Sequence, residues 1–250
     1  MLWVLDLDGV VWLAGTAIAG SADAVRRLHQ AGETVAFVTN NSGPTLGDYV
    51  GMLGRAGIEV DPGELVTSAE AAASLLESGT RAAVVGGPGV TEALEARGVV
   101  IVEAHDDPAA VVVGRSLQLD FDTLAAAAAA IRAGARFVAT NADATFPTPH
   151  GIEPGAGALV AYLEVGSGAT AEVAGKPHQP AADLLRDRYG SVGLVVGDRP
   201  DTDGRFAQLI GAPFGLVLTG VTSRADLPVS PEPAFVAADL AEMVTARLGG

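Results

Sequence analysis

Short apolar runs alternate along the chain with longer segments of helical period. Residues 2–5 and 35–38 read as buried strands, each ending abruptly in polar residues. Between them residues 21–31 have the helical period, with Ser21 a candidate N-cap and Gly32 a stop. Residues 48–56 read as a short helix ended at Gly57. Residues 66–78 read as a helix started at Thr67-Ser68. A second series gives strands at 82–85, 99–102, 110–113 and 137–140, with helices at 90–96, 121–133 and 156–166. The alanine run at 125–130 reads as plain helix propensity. A third series gives strands at 171–174, 193–196 and 215–218 and helices at 179–189, 202–210 and 239–248. Strands separated by helices imply parallel sheets with right-handed crossovers. The expected fold class is therefore α/β, a doubly wound, Rossmann-like parallel sheet.

In such sheets ligands sit beyond the carboxyl ends of the strands, so the residues that follow each apolar run carry the chemical argument. Asp6-Leu7-Asp8-Gly9 follows the first. Carboxylates two residues apart leave a strand on one side, which is costly unless a cation joins them; a solvated Asp-Gly turn is the plain alternative. Thr39-Asn40-Asn41-Ser42 follows the second, offering a hydroxyl, amides and backbone N–H groups suited to phosphate oxygens, or merely a polar turn. Gly175-Lys176-Pro177 follows 171–174 and supplies a point cation, although a lone lysine is usually on the surface. Gly197-Asp198-Arg199-Pro200-Asp201-Thr202-Asp203 follows 193–196. Its three aspartates suit a hard cation, and Asp201 or Thr202 suits a helix N-cap.

Composition narrows the function classes. The 250 residues are enough for one large domain or two small ones. Thirty acidic against fifteen basic residues give a net charge of −15, which disfavours nucleic acid and anionic membranes as partners. An anionic substrate then needs local positive charge at its site. With no cysteine, thiol catalysis and thiolate metal sites are excluded. Neither a signal peptide nor a membrane-spanning run is apparent, so a cytoplasmic location is expected.

The four motifs, in this order, resemble the haloacid dehalogenase superfamily of phosphatases, and most closely its 4-nitrophenylphosphatase or NagD-like branch. The residues that carry the likeness are DLDGVVW at 6–12, FVTNNS at 37–42, GKP at 175–177 and VGDRPDTD at 196–203, with ATNADATFP at 139–147 and PGAGALV at 154–160. Thr39 follows Asp6 too closely for a domain to lie between them, whereas Ser42 and Lys176 leave room for a small one. The expected organisation is a core of residues 1–78 and 171–250 with a smaller α/β cap of residues 79–170. That placement speaks against the phosphomutase-like and dehalogenase branches.

The resemblance implies a magnesium-dependent hydrolase of small phosphate monoesters. Asp6 would be the nucleophile and Asp8 the general acid, then base. Mg²⁺ would be held by Asp6, the Asp8 backbone carbonyl and Asp198, with Asp203 orienting its waters. Thr39, Asn40, Asn41 and Lys176 would cradle the phosphoryl group. The expected partner is a small phosphorylated metabolite, with a homodimer through the cap also implied. Glycerol phosphate or phosphoglycolate is expected from Arg115 and Phe146, two cap positions placed to meet a leaving group. Nucleoside monophosphates and sugar phosphates stand as alternatives, as does an idle phosphometabolite-binding protein. Gly86-Gly87-Pro88-Gly89 lacks the spacing of a phosphate loop and reads as a strand–helix turn.

Overall fold

The computed structural model describes residues 1–249. In chain order, β1 (Leu2–Leu5), the short pair β2 (Trp12–Leu13) and β3 (Thr16–Ala17), α1 (Ser21–Gln30), β4 (Thr34–Thr39), α2 (Leu46–Arg55), β5 (Leu65–Thr67) and α3 (Ser68–Ser74) come first. The middle holds β6 (Arg81–Val85), α4 (Pro88–Ala96), β7 (Val100–Ile101), β8 (Ala110–Val113), α5 (Phe121–Arg132), β9 (Arg136–Ala139), β10 (Thr145–Thr148), β11 (Gly151–Pro154), α6 (Ala156–Ser167) and β12 (Glu172–Val173). The chain ends with α7 (Gln179–Tyr189), β13 (Leu194–Gly197), α8 (Arg205–Ile210), β14 (Phe214–Val217), β15 (Phe235–Ala237) and α9 (Leu240–Leu248).

Six strands form one parallel sheet in the order β15-β14-β13-β1-β4-β5. Alternate side chains of β1 serve its two faces. Trp3 and Leu5 pack with Leu28 of α1, Tyr49 and Leu53 of α2 and Met243 of α9. Leu2 and Val4 pack with Ala71 of α3, Leu185 of α7 and Phe206 of α8. Burial on both faces explains why these strands read as continuous apolar runs rather than alternating ones. A second parallel sheet, β12-β9-β8-β6-β7, is covered on one face by α5 and α6. There Ala127 and Ala128 let the two helices lie close. Among the described residues no helix is long and apolar enough to cross a membrane.

Several expectations needed correction. Gly20, in the left-handed region at φ 87, precedes α1, and Ser21 is not its N-cap. The buried Ser21 hydroxyl instead serves the carbonyls of Val11 (3.0 Å) and Ile18 (2.6 Å). Residues 65–67 are not helical but add β5 to the edge of β4, because the apolar pair Leu65-Val66 is worth more beside that strand than in a helix turn. The helix then starts at Ser68, capped by Thr67 in a capping box with Glu70. Residues 200–204 form a wide π-type turn before α8. The hairpin β10–β11 and the edge strand β15 lack any long apolar run and gave no sequence signal. The Gly86–Gly89 segment is the expected strand–helix turn. A side chain at Gly87 or Gly89 would strike the backbone of Gly43 or Pro44, so this turn packs directly on the loop after β4.

Candidate active site

The chain runs from β1 to β4 and β5 on one side, and reaches β13, β14 and β15 on the other. That reversal opens a crevice at the carboxyl ends of β1, β4 and β13, and the first, second and fourth motifs meet there. Asp6 leaves β1 with its N–H bonded to the Val196 carbonyl of β13 at 2.9 Å. Gly9 turns the chain back at φ 84, and a Cβ there would collide with the Asp198 carboxylate. Lys176 enters from the loop after β12. Its Nζ donates to Asp6 Oδ1 at 2.8 Å and to Asp203 Oδ1 at 2.7 Å.

Asp6, Asp198 and Asp203 each present a carboxylate oxygen within 4.8 Å of the other two. Asp203 Oδ2 accepts from the Arg199 N–H at 3.1 Å and Asp198 Oδ2 from the Val221 N–H at 2.5 Å. Asp198 Oδ1 is buried with no partner. Burial pushes Asp6 well above the usual carboxylate range, and Asp203 and Asp198 add to it against the pull of Lys176. Burial, reinforced by Asp203, pushes Asp198 up to about 7. Burial would lower the Lys176 ammonium, but Asp203 and Asp6 outweigh it and raise the pKa. Three buried carboxylates against one ammonium leave an excess of negative charge. The orphaned Asp198 oxygen lacks a positive partner, and the donors are all hard oxygens. A divalent cation such as Mg²⁺ fits this set.

Asp8 differs. Its Oδ1 accepts from the Trp12 indole at 3.2 Å, and its side chain is not part of the three-carboxylate cluster. Burial pushes its pKa up to about 6, against the Trp12 bond and the cations Lys176 and Arg115. It can therefore carry or release a proton near neutrality.

The other expected residues also line the cavity, which measures about 60 Å³. Thr39 Oγ1 accepts from the Asn41 N–H at 3.2 Å. The Asn40 side chain is committed elsewhere: Nδ2 donates to Asp143 Oδ2 at 3.1 Å and to the Lys176 carbonyl at 2.9 Å. Only backbone donation from Asn40 remains for a ligand. Asn41 Oδ1 closes a turn onto the Gly43 N–H. Arg115 and Phe146 line the cavity, stacked on one another at 4.2 Å. Sequence reasoning missed Asp143 and Arg199, which share the cavity wall, although both stand inside motifs it had singled out.

Residues 3–100 match the family model described as haloacid dehalogenase-like hydrolase, and residues 173–243 match a HAD-hydrolase-like model. A p-nitrophenyl phosphatase from Archaeoglobus fulgidus superposes with a TM-score of 0.91 at 31% identity, over 98% of each chain. The chain belongs to the haloacid dehalogenase-like hydrolases. Among curated members of that family, a D-glycerol 3-phosphate phosphatase of Mycobacterium tuberculosis is 40% identical over 230 residues. That alignment takes in 89% of this chain but only 64% of the relative. A structure of the glycerol phosphate phosphatase from the same organism, in complex with magnesium, gives a TM-score of 0.90 at 35% identity, over 97% of this chain and 75% of that one. Within the haloacid dehalogenase-like hydrolases the likeness is to the 4-nitrophenylphosphatase branch, as the motifs implied.

Proposed function

We propose that this hydrolase is a Mg²⁺-dependent phosphatase that cleaves small phosphate monoesters through an aspartyl-phosphate intermediate. The observation that carries this reading is the arrangement of Asp6, Lys176 and Asp203 beside the orphaned oxygen of Asp198, with Asp8 kept apart on Trp12. In this reading Asp6, Asp198 and the Asp8 backbone carbonyl hold the metal, and Asp203 orients its waters. A bound Mg²⁺ would offset the carboxylate charge and polarise the phosphoryl oxygens.

The residues supply the remaining chemistry. Lys176 fixes Asp6 by one oxygen, and a carboxylate oxygen of Asp6 attacks phosphorus. The bond from phosphorus to the leaving oxygen breaks, and Asp8 delivers its proton to that oxygen. Asp8, now ionised, takes a proton from water as the water oxygen attacks phosphorus. Asp6 is released together with inorganic phosphate. A pKa near 6 suits both halves of this cycle. Thr39, Asn41, the Asn40 backbone and Lys176 surround the phosphoryl group with donors. The complete set of charged residues favours catalysis over idle binding.

In this reading the second sheet and its helices act as a cap on the first. Because β12 (Glu172–Val173) pairs with β9, the cap runs past the expected boundary at residue 170 to about Val173, and the core comprises residues 1–78 and the chain after β12. The cavity has room for a few water-sized bodies at ~10–15 Å³ each, which favours glycerol phosphate or phosphoglycolate as substrate over a nucleoside monophosphate. Exposed Leu117, Phe121 and Ile152 on the cap support pairing of two copies through it, which light scattering would test. The acidic charge and lack of cysteine support a cytoplasmic protein without nucleic-acid or membrane partners. A panel of phosphate monoesters assayed with Mg²⁺ tests the function. Turnover of three-carbon or smaller esters is expected, and inertness toward every ester would overturn the reading.

A further inference from the structure

The hairpin β10–β11 sets Phe146 directly opposite Glu153, and opposed residues project from the same face. Both meet Arg115. Its guanidinium carbon lies 4.2 Å from the centre of the Phe146 ring, and Nη2 donates to Glu153 Oε2 at 2.8 Å. The Arg115 backbone is itself held, its carbonyl accepting from the Gly87 N–H and its N–H reaching Ser42 Oγ in the loop after β4. The side chain is 15% exposed and lines the catalytic cavity, and its Nε is buried without a partner.

Nε and Nη2 form the lateral edge of a guanidinium, the edge that grips a carboxylate with two parallel bonds. Glu153 takes up one of the five N–H donors, on Nη2, and pairs with the positive charge. Glu153 also offsets the positive charge that would draw an anion there, and Asp8 and Asp143 line the same cavity. A hydroxyl oxygen can accept from the guanidinium without bringing charge. A carboxylate would instead meet Glu153 at the guanidinium and two further acidic side chains in the same cavity.

We propose that Arg115 and Glu153 act together as a charge-compensated donor that selects phosphate esters with uncharged, hydroxylated leaving groups and rejects those whose leaving group carries a carboxylate. The inference rests on the phosphatase reading above and narrows it.

The test compares kcat/KM for glycerol 3-phosphate and 2-phosphoglycolate, with 4-nitrophenyl phosphate as a third ester. Wild type should prefer glycerol 3-phosphate. Glu153→Gln leaves Arg115 with uncompensated charge and a released donor, and should raise the phosphoglycolate-to-glycerol-phosphate ratio by about tenfold, chiefly through KM. Glu153→Asp keeps the charge and should leave the ratio near that of wild type. A wild-type preference for phosphoglycolate overturns the inference, as does a ratio moved by both variants or by neither. Wild-type protein inert toward all three esters overturns the phosphatase reading, and this inference with it.

Discussion

Lys176 holds two carboxylates that lie 170 and 27 residues away along the chain. Each of the three reads as an unremarkable polar residue in its own stretch, and only the ends of apolar runs marked them out. That rule found Asp6, Thr39, Lys176 and Asp198, because strand ends are legible in sequence. It could not say that the Asn40 amide turns away to Asp143, since that depends on where a distant loop lands. On the reading proposed, Asp6→Asn should fold normally and keep under about 1% of wild-type kcat, because an amide neither attacks phosphorus nor carries charge. Circular dichroism with a chromogenic ester assay checks both halves. Lys176→Ala should strand the buried Asp6 and Asp203 carboxylates without their ammonium. Breaking a buried pair from one side costs about 3–5 kcal/mol, which urea unfolding would register.

The elements were read more evenly than their boundaries. β1, β8 and α7 match the expected spans because buried strands and a Pro-entered helix have sharp ends. The β10–β11 hairpin escaped notice because its residues are half exposed and include Pro147. Its place is fixed by Arg115, not by an apolar pattern of its own. The turn after β14 is another element whose role emerges only in three dimensions. Val221 there bonds Asp198, the Thr219 hydroxyl donates to the Gly9 carbonyl, and Gly220 lies against the Asp198 carboxylate. A methyl group on Gly220 would overlap that carboxylate. Gly220→Ala should therefore lower kcat by roughly tenfold or more, in line with displacing a site group by a fraction of an ångström. Its melting temperature should change little, because the turn lies outside the apolar clusters. An unchanged Mg²⁺ titration and kcat would show that the turn does not position Asp198.

For the whole molecule, the carboxylate cluster couples stability to pH and to metal. Asp8 and Asp198 titrate near 6 and 7 in the folded protein, against about 3.9 when unfolded. The folded state thus binds their protons more tightly. Their contribution is fully present below about pH 4 and is lost as pH rises through 6 and 7, an effect on the order of several kcal/mol without metal. Chelator-treated protein should melt at a higher temperature at pH 5.5 than at pH 8, and Asp198→Asn should shrink that difference. Mg²⁺ should stabilise the protein more at pH 8 than at pH 5.5, where protons compete with it. Differential scanning fluorimetry at the two pH values reads all of this. In activity assays EDTA should abolish turnover and Mg²⁺ restore it. Ca²⁺ should substitute poorly, because it accepts looser and more numerous oxygen ligands.

On the reading proposed, the small cavity shared by Asp6, Lys176, Arg115 and Phe146 makes the enzyme a sieve as well as a catalyst. A phosphoserine on a folded protein, or a phosphate on a lipid headgroup at a bilayer, brings a body that cannot follow its phosphate into a cavity of this volume. On the reading proposed, raising the amount of this protein in a cell would drain free three-carbon esters while leaving phosphoproteins untouched. Inhibitors would have to be sought among fragments no larger than those esters.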